Sequence, residues 1–511
     1  MTTFNVKSLS AKVTNYMGEE SYTLTPKARL VNIAATMMLG EPSYYESADK
    51  QVVALFNACD ATRDPEFCLK VAKYARQKLN LRSTPIAIMV KVANMHLAKG
   101  TGLVPRYAPA IIQRADELNE TFAIQTALFG RIIPNSLKKG VARAFHNFDE
   151  YQLTKWRQDK RNFNLRKTVI IAHPVPTSRE QSDLYRRILN DDASPAMTWK
   201  YLIAEKGNTA AVWDELIASK KMGYMATLQE LVPMIRAGAT RMDDVIAYIE
   251  NGSAIAKSKL LPHRFLSAYE SVGSMPYTFE KDKRTIVRVR EAIECAIKTA
   301  TANIPRIPGT TVILCDNSGS ARGDAGGKSK ISSKSVRTIA DMGNLLGLYA
   351  WYASENPMLA VFGDKLIPVT IAKNDGVLGN FEKVNAAGGS VGPATEHGVF
   401  VMLHDMVEKK IFADRVIVIS DLQIGDGNHR EYGLTGYKAY GTIPGMVDQY
   451  RKTVNPNFWY YSVSIKGYGN DVVMGPKKAL ISGWSEHVLS FINNVEADSM
   501  AQIADIEDMS Q

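Results

Sequence analysis

The apolar residues of the first three hundred positions follow a helical pattern. Five segments place apolar side chains three and four positions apart, which is the spacing that lines one face of an α-helix; they are residues 29–39, 51–59, 65–79, 85–98 and 107–118. Short segments with Gly, Pro, Ser or Asp separate them every few tens of residues. Helices at this spacing predict an α-solenoid, in which helix pairs bury their apolar faces by stacking. An irregular helical bundle is the alternative, because no crisp sequence repeat is visible.

The pattern changes after residue 305, where the run NIPRIPGTT interrupts the helical pattern. Short apolar runs rich in β-branched residues predict buried strands, and two longer helical segments lie between them; the runs are 310–316, 358–364, 365–370, 415–421 and 458–465, and the helices are 336–353 and 393–410. Strands that alternate with helices predict a mostly parallel sheet covered on both faces. We therefore predict a multidomain protein with an all-α helical-repeat module at residues 1–305 and an α/β doubly wound domain at residues 306–511.

Length and composition exclude several classes of protein. A chain of 511 residues is too long for one hydrophobic core. Its longest apolar runs fall far short of the roughly 20 residues that cross a bilayer, and the first residues lack the apolar stretch of a signal peptide. The four cysteines show no disulfide framework. We expect a cytoplasmic protein without a membrane partner.

Positive charge is concentrated in the helical part of the chain. The net charge is +10, yet residues 306–511 contain 19 lysines and arginines against 22 aspartates and glutamates. The first 305 residues therefore carry 43 basic and 30 acidic residues. Such asymmetry favours a polyanionic partner for the helical part, because basic side chains gain by displacing counterions from phosphates. Improved solubility is the alternative explanation.

Side chains with oxygen ligands follow the predicted strands of the α/β domain. The pattern D-x-S-x-S comes directly after the first strand, a glycine-rich loop at 386–395 precedes a helix, and an aspartate closes the strand at 415–421. Oxygen ligands of this kind suit a hard divalent cation such as Mg²⁺. The predicted metal ligands are Asp316, Ser318, Ser320, Ser390 and Asp421. Thr395 is the alternative source of the hydroxyl in the glycine-rich loop.

Residues 136–176, here called the basic segment, contain the densest run of positive charge. Between positions 138 and 167 the sequence has three acidic and nine basic residues. The basic residues are Lys138, Lys139, Arg143, Lys155, Arg157, Lys160, Arg161, Arg166 and Lys167. Aromatic residues lie among them, and phosphate contact combined with base stacking on RNA requires both residue types. The alternative is an amphipathic arrangement in which the aromatic residues face the core and the lysines face water.

Both parts of the chain resemble known families. The D-x-S-x-S turn, the glycine-rich loop and the later aspartate are similar to the metal-ion-dependent adhesion site of von Willebrand factor A domains, which usually have Thr in the middle element. Five further blocks resemble, in order, the TROVE module of the Ro autoantigen family and its bacterial relatives: LGEPSYYES (39–47), KYARQKLNLRSTP (73–85), LKKGVARAFHNFDEYQLTKWR (137–157), LRKTVIIAHPVP (165–176) and LPHRFLSAYE (261–270). That family joins a HEAT-like helical ring to a von Willebrand factor A domain.

The resemblance implies an RNA-binding scaffold and not an enzyme. Ro proteins bind small structured Y RNAs on the basic outer surface of the ring, and they accept single-stranded ends of defective noncoding RNAs in its hole. Bacterial relatives work with an exoribonuclease through a Y RNA tether. The implied partners are thus a Y-like RNA, misfolded RNA with single-stranded ends and an exoribonuclease, for a monomeric protein whose nine basic residues above contact RNA. Animal members carry histidine at the position of Leu165, so their Y RNA contacts are not transferred in detail.

Two other functions fit the same residues. A metal-dependent RNA-processing enzyme would use Asp316 and Asp421 to hold Mg²⁺ for phosphodiester hydrolysis, although the sequence lacks the additional acidic residues of a two-metal nuclease. A protein-docking scaffold would bind carboxylates of a partner at the metal and peptides along the helices. The enzyme predicts RNA cleavage that stops without Mg²⁺, and the docking scaffold predicts little RNA binding.

Overall fold

A computed structural model describes most of the chain between residues 12 and 509. The described residues are 12–14, 20–23, 25–36, 48–79, 81–156, 162–194, 196–258, 260, 262–276, 280–302, 306–323, 329–330, 337–395, 398–422, 424, 442–465, 470–471, 477–482, 492 and 501–509.

Helices make up the region between residues 26 and 302. The described α-helices of this region are α1 (Pro26–Thr36), α2 (Ala48–Thr62), α3 (Pro65–Gln77), α4 (Ser83–Asn94), α5 (Leu103–Ile111), α6 (Ala115–Phe129), α7 (Asn135–Ala144), α8 (Glu150–Lys155), α9 (Leu165–Ala172), α10 (Arg179–Leu189), α11 (Trp199–Lys206), α12 (Ala210–Ser219), α13 (Tyr224–Gln229), α14 (Leu231–Arg236), α15 (Met242–Ile249), α16 (Gly252–Ser258), α17 (Pro262–Gly273) and α18 (Glu280–Ala302). None of the described helices has the length and apolar character needed to cross a membrane.

Side-chain capping interactions mark where two of these helices begin. Helix α3 starts where the Asp64 carboxylate accepts a hydrogen bond from the Phe67 amide at 2.9 Å, and proline follows at the first helical position, where no amide hydrogen is needed. The predicted single helix at 107–118 is wrong, because α5 ends at Ile111 and α6 begins at Ala115. The Glu117 carboxylate accepts from the amides of Gln113 and Arg114 at 2.9 and 3.0 Å, so it caps a new helix at this point.

A mostly parallel sheet follows the helices. Its elements are β3 (Ile307–Asp316), α19 (Gly319–Arg322), α20 (Ile339–Ala353), β4 (Ser354–Phe362), β5 (Leu366–Pro368), α21 (Gly376–Gly388), α22 (Val399–Glu408), β6 (Arg415–Ser420), α23 (Ile443–Thr453), β7 (Trp459–Ser464), β9 (Lys478–Ser482) and α24 (Ala501–Glu507). The strand order is β5-β4-β3-β6-β7-β9, and only β5 runs antiparallel to its neighbour. The predicted order of a helical region followed by a mostly parallel α/β sheet is confirmed.

Helices cover both faces of this sheet. Along β3, Val312 and Leu314 belong to a core that includes residues of α22 and α23. Ile313 and Cys315 point to the opposite face and share a core with residues of α20. Because successive side chains of a strand point to opposite faces, a strand buried on both sides needs an uninterrupted apolar run. That requirement explains the run VILC in β3.

A second, small sheet lies near the N-terminus and was not predicted. It consists of β1 (Lys12–Thr14), β2 (Glu20–Thr23) and β8 (Asn470–Asp471), paired antiparallel in that order. Strands of two to four residues are too short to show an alternating pattern in the sequence. The pairing of β2 with β8 joins the start of the chain to the α/β region.

The helical region contacts the α/β region at both of its ends. At the far end, the Leu378 amide of α21 donates a hydrogen bond to the Glu294 carboxylate of α18 at 3.3 Å. At the near end, α24 packs on α1 and α3, with Ile506 fully buried and the Lys27 ammonium 2.6 Å from the Glu507 carboxylate. The helices from α1 to α18 therefore start and finish against the same C-terminal region.

Candidate functional site

The two predicted carboxylate ligands, Asp316 and Asp421, lie at the carboxyl ends of the neighbouring parallel strands β3 and β6. Cys315 of β3 pairs with Ile419 of β6, so the residues that follow them leave the sheet side by side. The fully buried Asp316 carboxylate accepts hydrogen bonds from the Ser318 amide at 2.9 Å and from the Ser420 hydroxyl at 2.5 Å. Burial raises the pKa of Asp316, although its hydrogen bonds with Ser420 and Ser318 oppose that shift.

The two serines of the D-x-S-x-S turn point their hydroxyls at each other. Ser318 and Ser320 are both buried, and their Oγ atoms are 3.2 Å apart. Ser318 occupies the N-cap position of α19, but its side chain makes no capping hydrogen bond. Its hydroxyl is therefore not committed to stabilising the helix start, the usual reason for serine at such a position.

The glycine-rich loop reaches this turn through its second half. The Pro393 carbonyl accepts a hydrogen bond from the Gly319 amide at 2.8 Å. Thr395, two residues further on, is 3% exposed. Ser390 is exposed, and its amide donates to the Ala387 carbonyl at 3.0 Å in the turn that ends α21.

The donor set is suited to a hard divalent cation. Asp316 and Asp421 are both fully buried at adjacent strand ends, and burying two carboxylates is costly unless a proton or a cation compensates their charge. The other candidate donors are hydroxyl oxygens, which suit Mg²⁺ rather than a softer metal. In the described part of the chain, no group of three or more His, Cys, Asp or Glu side chains could hold a metal. A cation here would be held by the two carboxylates and by hydroxyl oxygens, and it would leave a coordination position for water or for a partner's acidic group.

Amide side chains behind the turn hold it in place, and sequence reasoning missed them. Asn317 and Asn344 exchange two hydrogen bonds of 2.8 and 2.9 Å. Asn344 also donates to the side-chain oxygen of Asn385 at 2.6 Å, and Arg322 donates to the side-chain amide oxygen of Asn317 at 2.8 Å. A buried polar network of this kind fixes one arrangement of the loop. The signal for it was Asn344, a polar residue within the otherwise apolar stretch of α20.

The described residues of the basic segment place most of its charge at the surface. Lys139, Arg143, Lys155, Arg166 and Lys167 are exposed, and Lys138 is half-buried. The remaining predicted contacts lie outside the described residues: Arg157, Lys160 and Arg161. Arg166 and Lys167 donate to the backbone carbonyls of Leu189 and Asn162, at 2.7 and 3.0 Å. Carbonyl partners leave the positive charge available to phosphates.

The aromatic residues of the basic segment divide into two groups. Phe145 and Phe148 are buried, 0% and 6% exposed, so the core interpretation is correct for them. Tyr151 is 46% exposed, and Trp156 is half-buried. The guanidinium carbon of Arg114 lies 5.0 Å from the centre of the Trp156 ring, and the Lys155 ammonium lies 5.6 Å from it. Together with the half-buried Phe163, these two rings are the described aromatic side chains of the segment that RNA could reach.

Comparisons with known proteins agree with this architecture. The family model of the TROVE domain matches residues 19–195 and 193–307. Telomerase protein component 1 of Mus musculus is 22% identical over 341 residues, or 49% of this chain, and that of Rattus norvegicus is 22% identical over 338 residues, or 48% of this chain. The chain spans 13% of the length of each of these relatives.

A solved structure matches nearly the whole chain. The Ro (Rsr) protein of Deinococcus radiodurans superposes with a TM-score of 0.58 at 15% sequence identity, covering 92% of this chain and 100% of that protein. At this identity the likeness shows the fold. It confirms the fold class predicted from the sequence, a helical region followed by a doubly wound α/β domain.

Proposed function

Because the chain belongs to the TROVE domain family, we propose that it is the RNA-binding protein of a Ro-type ribonucleoprotein. The observation that carries the proposal is that the family match over residues 19–307 contains the exposed positive charge of the basic segment. Its ligands are a small structured Y-like RNA and RNAs with single-stranded ends, and its cellular role is RNA quality control or processing in the cytoplasm. The chain acts as a scaffold and not as an enzyme, and it works together with an exoribonuclease.

Lysines and arginines of the basic segment contact the phosphates of the RNA. Lys139 and Arg143 project from α7, and Arg166 and Lys167 from the first turn of α9. Each contact releases counterions from the RNA, so the binding constant falls steeply as the salt concentration rises. For single strands, each contact adds about −0.7 to the slope of the logarithm of the binding constant against the logarithm of the salt concentration. Shape adds selectivity, because only unpaired nucleotides can offer their bases for stacking.

The second part of the proposal is a divalent cation, Mg²⁺, at the carboxyl ends of β3 and β6. Asp316, Ser318, Ser320 and Asp421 would hold it, and Thr395 would supply the hydroxyl of the glycine-rich loop in place of Ser390. The choice of Thr395 rests on its burial and on the hydrogen bond that brings Pro393 to the turn. When bound, the cation offers an open coordination position to an acidic group of a docking partner.

Binding of RNA across a salt series tests the proposal. The RNA is structured and is used with and without a single-stranded 3′ tail, against the wild type and the Lys138/Lys139/Arg143→Ala triple variant. The Lys373/Lys383/Lys409→Ala variant is the matched control, because it removes the same charge from exposed positions in the α/β region. We expect tail-dependent, salt-sensitive binding that is weakened only in the first variant. Absent or salt-insensitive binding by the wild type would overturn the proposal.

The same samples discriminate between a scaffold and a nuclease. The RNA is incubated with the protein in Mg²⁺ and, separately, in a chelator, and its length is then measured. A scaffold returns intact RNA under both conditions. Two observations together would instead favour the metal-dependent enzyme: the wild type shortens the RNA only in Mg²⁺, and an Asp421→Ala variant does not shorten it.

A further inference from the structure

Three positively charged side chains lie against two tryptophans, and two of these five residues, Lys155 and Trp156, belong to the basic segment. Arg114 immediately precedes α6, Lys155 ends α8 and Lys200 lies in the first turn of α11. Arg114 and Lys155 both contact the Trp156 ring, at 5.0 and 5.6 Å from its centre. The Lys200 ammonium lies 5.2 Å from the centre of the Trp199 ring. We call these five residues the Trp156 cluster.

Nearby carboxylates do not balance the charge of the cluster. Asp116 accepts hydrogen bonds from Arg114 at 3.0 Å and also from Arg82 at 2.8 Å, so two guanidinium groups share one carboxylate. The buried Glu117 is likewise shared, between Arg82 at 3.3 Å and Arg76 at 3.0 Å. Glu120 also acts on Arg82, so three arginines face three carboxylates before the charges of Lys155 and Lys200 are counted.

The lysines of the cluster repel their neighbours. Partial desolvation lowers the pKa of Lys155, and the positive charges of Arg114 and Lys200 lower it further, with Asp116 opposing them. The positive charge of Lys200 lowers the pKa of Glu230, but burial raises that pKa by more. Even with Glu230 ionised, the five basic groups exceed the four acidic groups around the cluster, which are Asp116, Glu117, Glu120 and Glu230. An anion placed between them would relieve this repulsion.

The aromatic rings indicate which anion fits. A phosphate of single-stranded RNA carries unstacked bases on either side, and these can lie against indole rings and guanidinium planes. A duplex keeps its bases stacked and cannot use the two tryptophans. A simple inorganic anion would gain nothing from them.

We propose that the Trp156 cluster binds a phosphate of a single-stranded RNA segment through Arg114, Lys155 and Lys200, with the flanking bases against Trp156 and Trp199. The inference rests on the proposed RNA-binding function and deepens it. It adds Arg114 and Lys200, which lie outside the basic segment, to the residues that contact RNA. It also assigns the single strand to a place in the fold, between the start of α6, the end of α8 and the start of α11.

The test compares two lysines of the same helix. Lys200→Ala removes a cluster charge, whereas Lys206→Ala removes a charge that Glu215 already neutralises at 2.9 Å. Binding of a short single-stranded RNA and of a duplex of equal length is measured for both variants and the wild type across a salt series. We expect Lys200→Ala to bind the single strand about tenfold more weakly, with a salt slope shallower by about 0.7. Lys206→Ala should bind both RNAs like the wild type.

Each other outcome overturns a definite part of the argument. If Lys200→Ala matches Lys206→Ala while the wild type binds RNA, the cluster is not a binding site and the proposed function stands. If the single strand and the duplex lose equal affinity, the assignment to single strands is wrong. If the wild type binds neither RNA, the proposed function fails together with the cluster. The Arg114→Gln/Lys200→Ala variant provides a second comparison, since a second lost contact should lower the slope again.

Discussion

A single hydroxyl distinguishes two versions of the proposed metal site. Thr395 is buried two residues after Pro393, whose carbonyl is bound to the D-x-S-x-S turn, while Ser390 is exposed. A ligand that binds only the folded state raises stability by about 2.7 kcal/mol at a hundred times its Kd. We therefore expect Mg²⁺ to raise the Tm of the wild type and of Ser390→Ala. The increase should shrink in Thr395→Val and vanish in Asp421→Ala, as measured by calorimetry with and without Mg²⁺.

The pair of variants at the glycine-rich loop makes this prediction sharp. Both remove one hydroxyl from the same loop, and valine keeps the shape of threonine. A Mg²⁺-dependent rise in Tm that survives in Thr395→Val but is lost in Ser390→Ala would assign the hydroxyl to Ser390. Equal Tm values with and without Mg²⁺ in the wild type would argue against the cation itself.

A buried carboxylate holds the helical region together near the Trp156 cluster. Glu117 is fully buried and accepts from Arg76 at 3.0 Å, while it also caps α6. Burial raises the pKa of Glu117 even though the positive charge of Arg76 lowers it, so the pair is costly to bury and more costly to break. Glu117→Gln should lower the free energy of unfolding by about 3 to 5 kcal/mol, because it leaves a buried guanidinium without its countercharge.

Urea unfolding followed by circular dichroism checks the Glu117 prediction. The control is Glu215→Gln, which breaks an ion pair with Lys206. The side chains of Glu215 and Lys206 are 55% and 45% exposed. Exposed pairs contribute about 0 to 1 kcal/mol, so this variant should unfold close to the wild type. Similar urea midpoints for the two variants would mean that the buried charge of Arg76 finds another partner.

Among the elements, α20 packs unusually close to β3. A Cβ atom added to Gly347 of α20 would overlap with the sulfur of Cys315 on β3. Gly347→Ala should therefore push the helix from the sheet and cost about 1 to 3 kcal/mol of unfolding free energy. Gly379→Ala in α21 is the control, because no atom lies within 4 Å of its added Cβ. It should raise stability by about 0.5 to 1 kcal/mol, as alanine favours the helix.

A compensating variant separates overlap from other effects of the Gly347 substitution. Cys315→Ala removes the sulfur that the new methyl group would meet. The double variant Gly347→Ala/Cys315→Ala should therefore unfold at a higher temperature than Gly347→Ala alone. If the double variant loses the sum of the stability losses of the two single variants, contact with Cys315 is not the cause.

Elements that carry their own signal were predictable from the sequence. The apolar runs of β3 and β6 are buried on both faces, so every position had to be apolar, and the aspartates that follow them stood out. The break between α5 and α6 was missed, because it depends on a side chain that folds back to cap the second helix. The amide network behind the D-x-S-x-S turn and the Trp156 cluster join residues distant in the sequence. Asn344 was a local signal for the amide network, but no local pattern identifies the residues that it contacts.

At the scale of the whole molecule, the two regions meet at both ends of the helical region. The C-terminal helix α24 supplies the near contact: Ile506 is fully buried, and Glu507 accepts from Lys27 and, through its carbonyl, from Lys70. At the far end α18 contacts α20 and α21. A loss at one end should therefore loosen that end first, because stability is distributed among local units.

Ile506→Ala tests this arrangement without removing a charge. Truncating a buried isoleucine costs about 2 to 5 kcal/mol, and we expect faster amide hydrogen exchange in α1 and α3, which α24 covers. Exchange in α18 and α20 should keep the rate of the wild type. Asp505→Ala, at an exposed position of the same helix, is the control and should leave all four helices unchanged. If amide exchange in Ile506→Ala accelerates equally in α1, α3, α18 and α20, the helical and α/β regions open as one unit that includes α24.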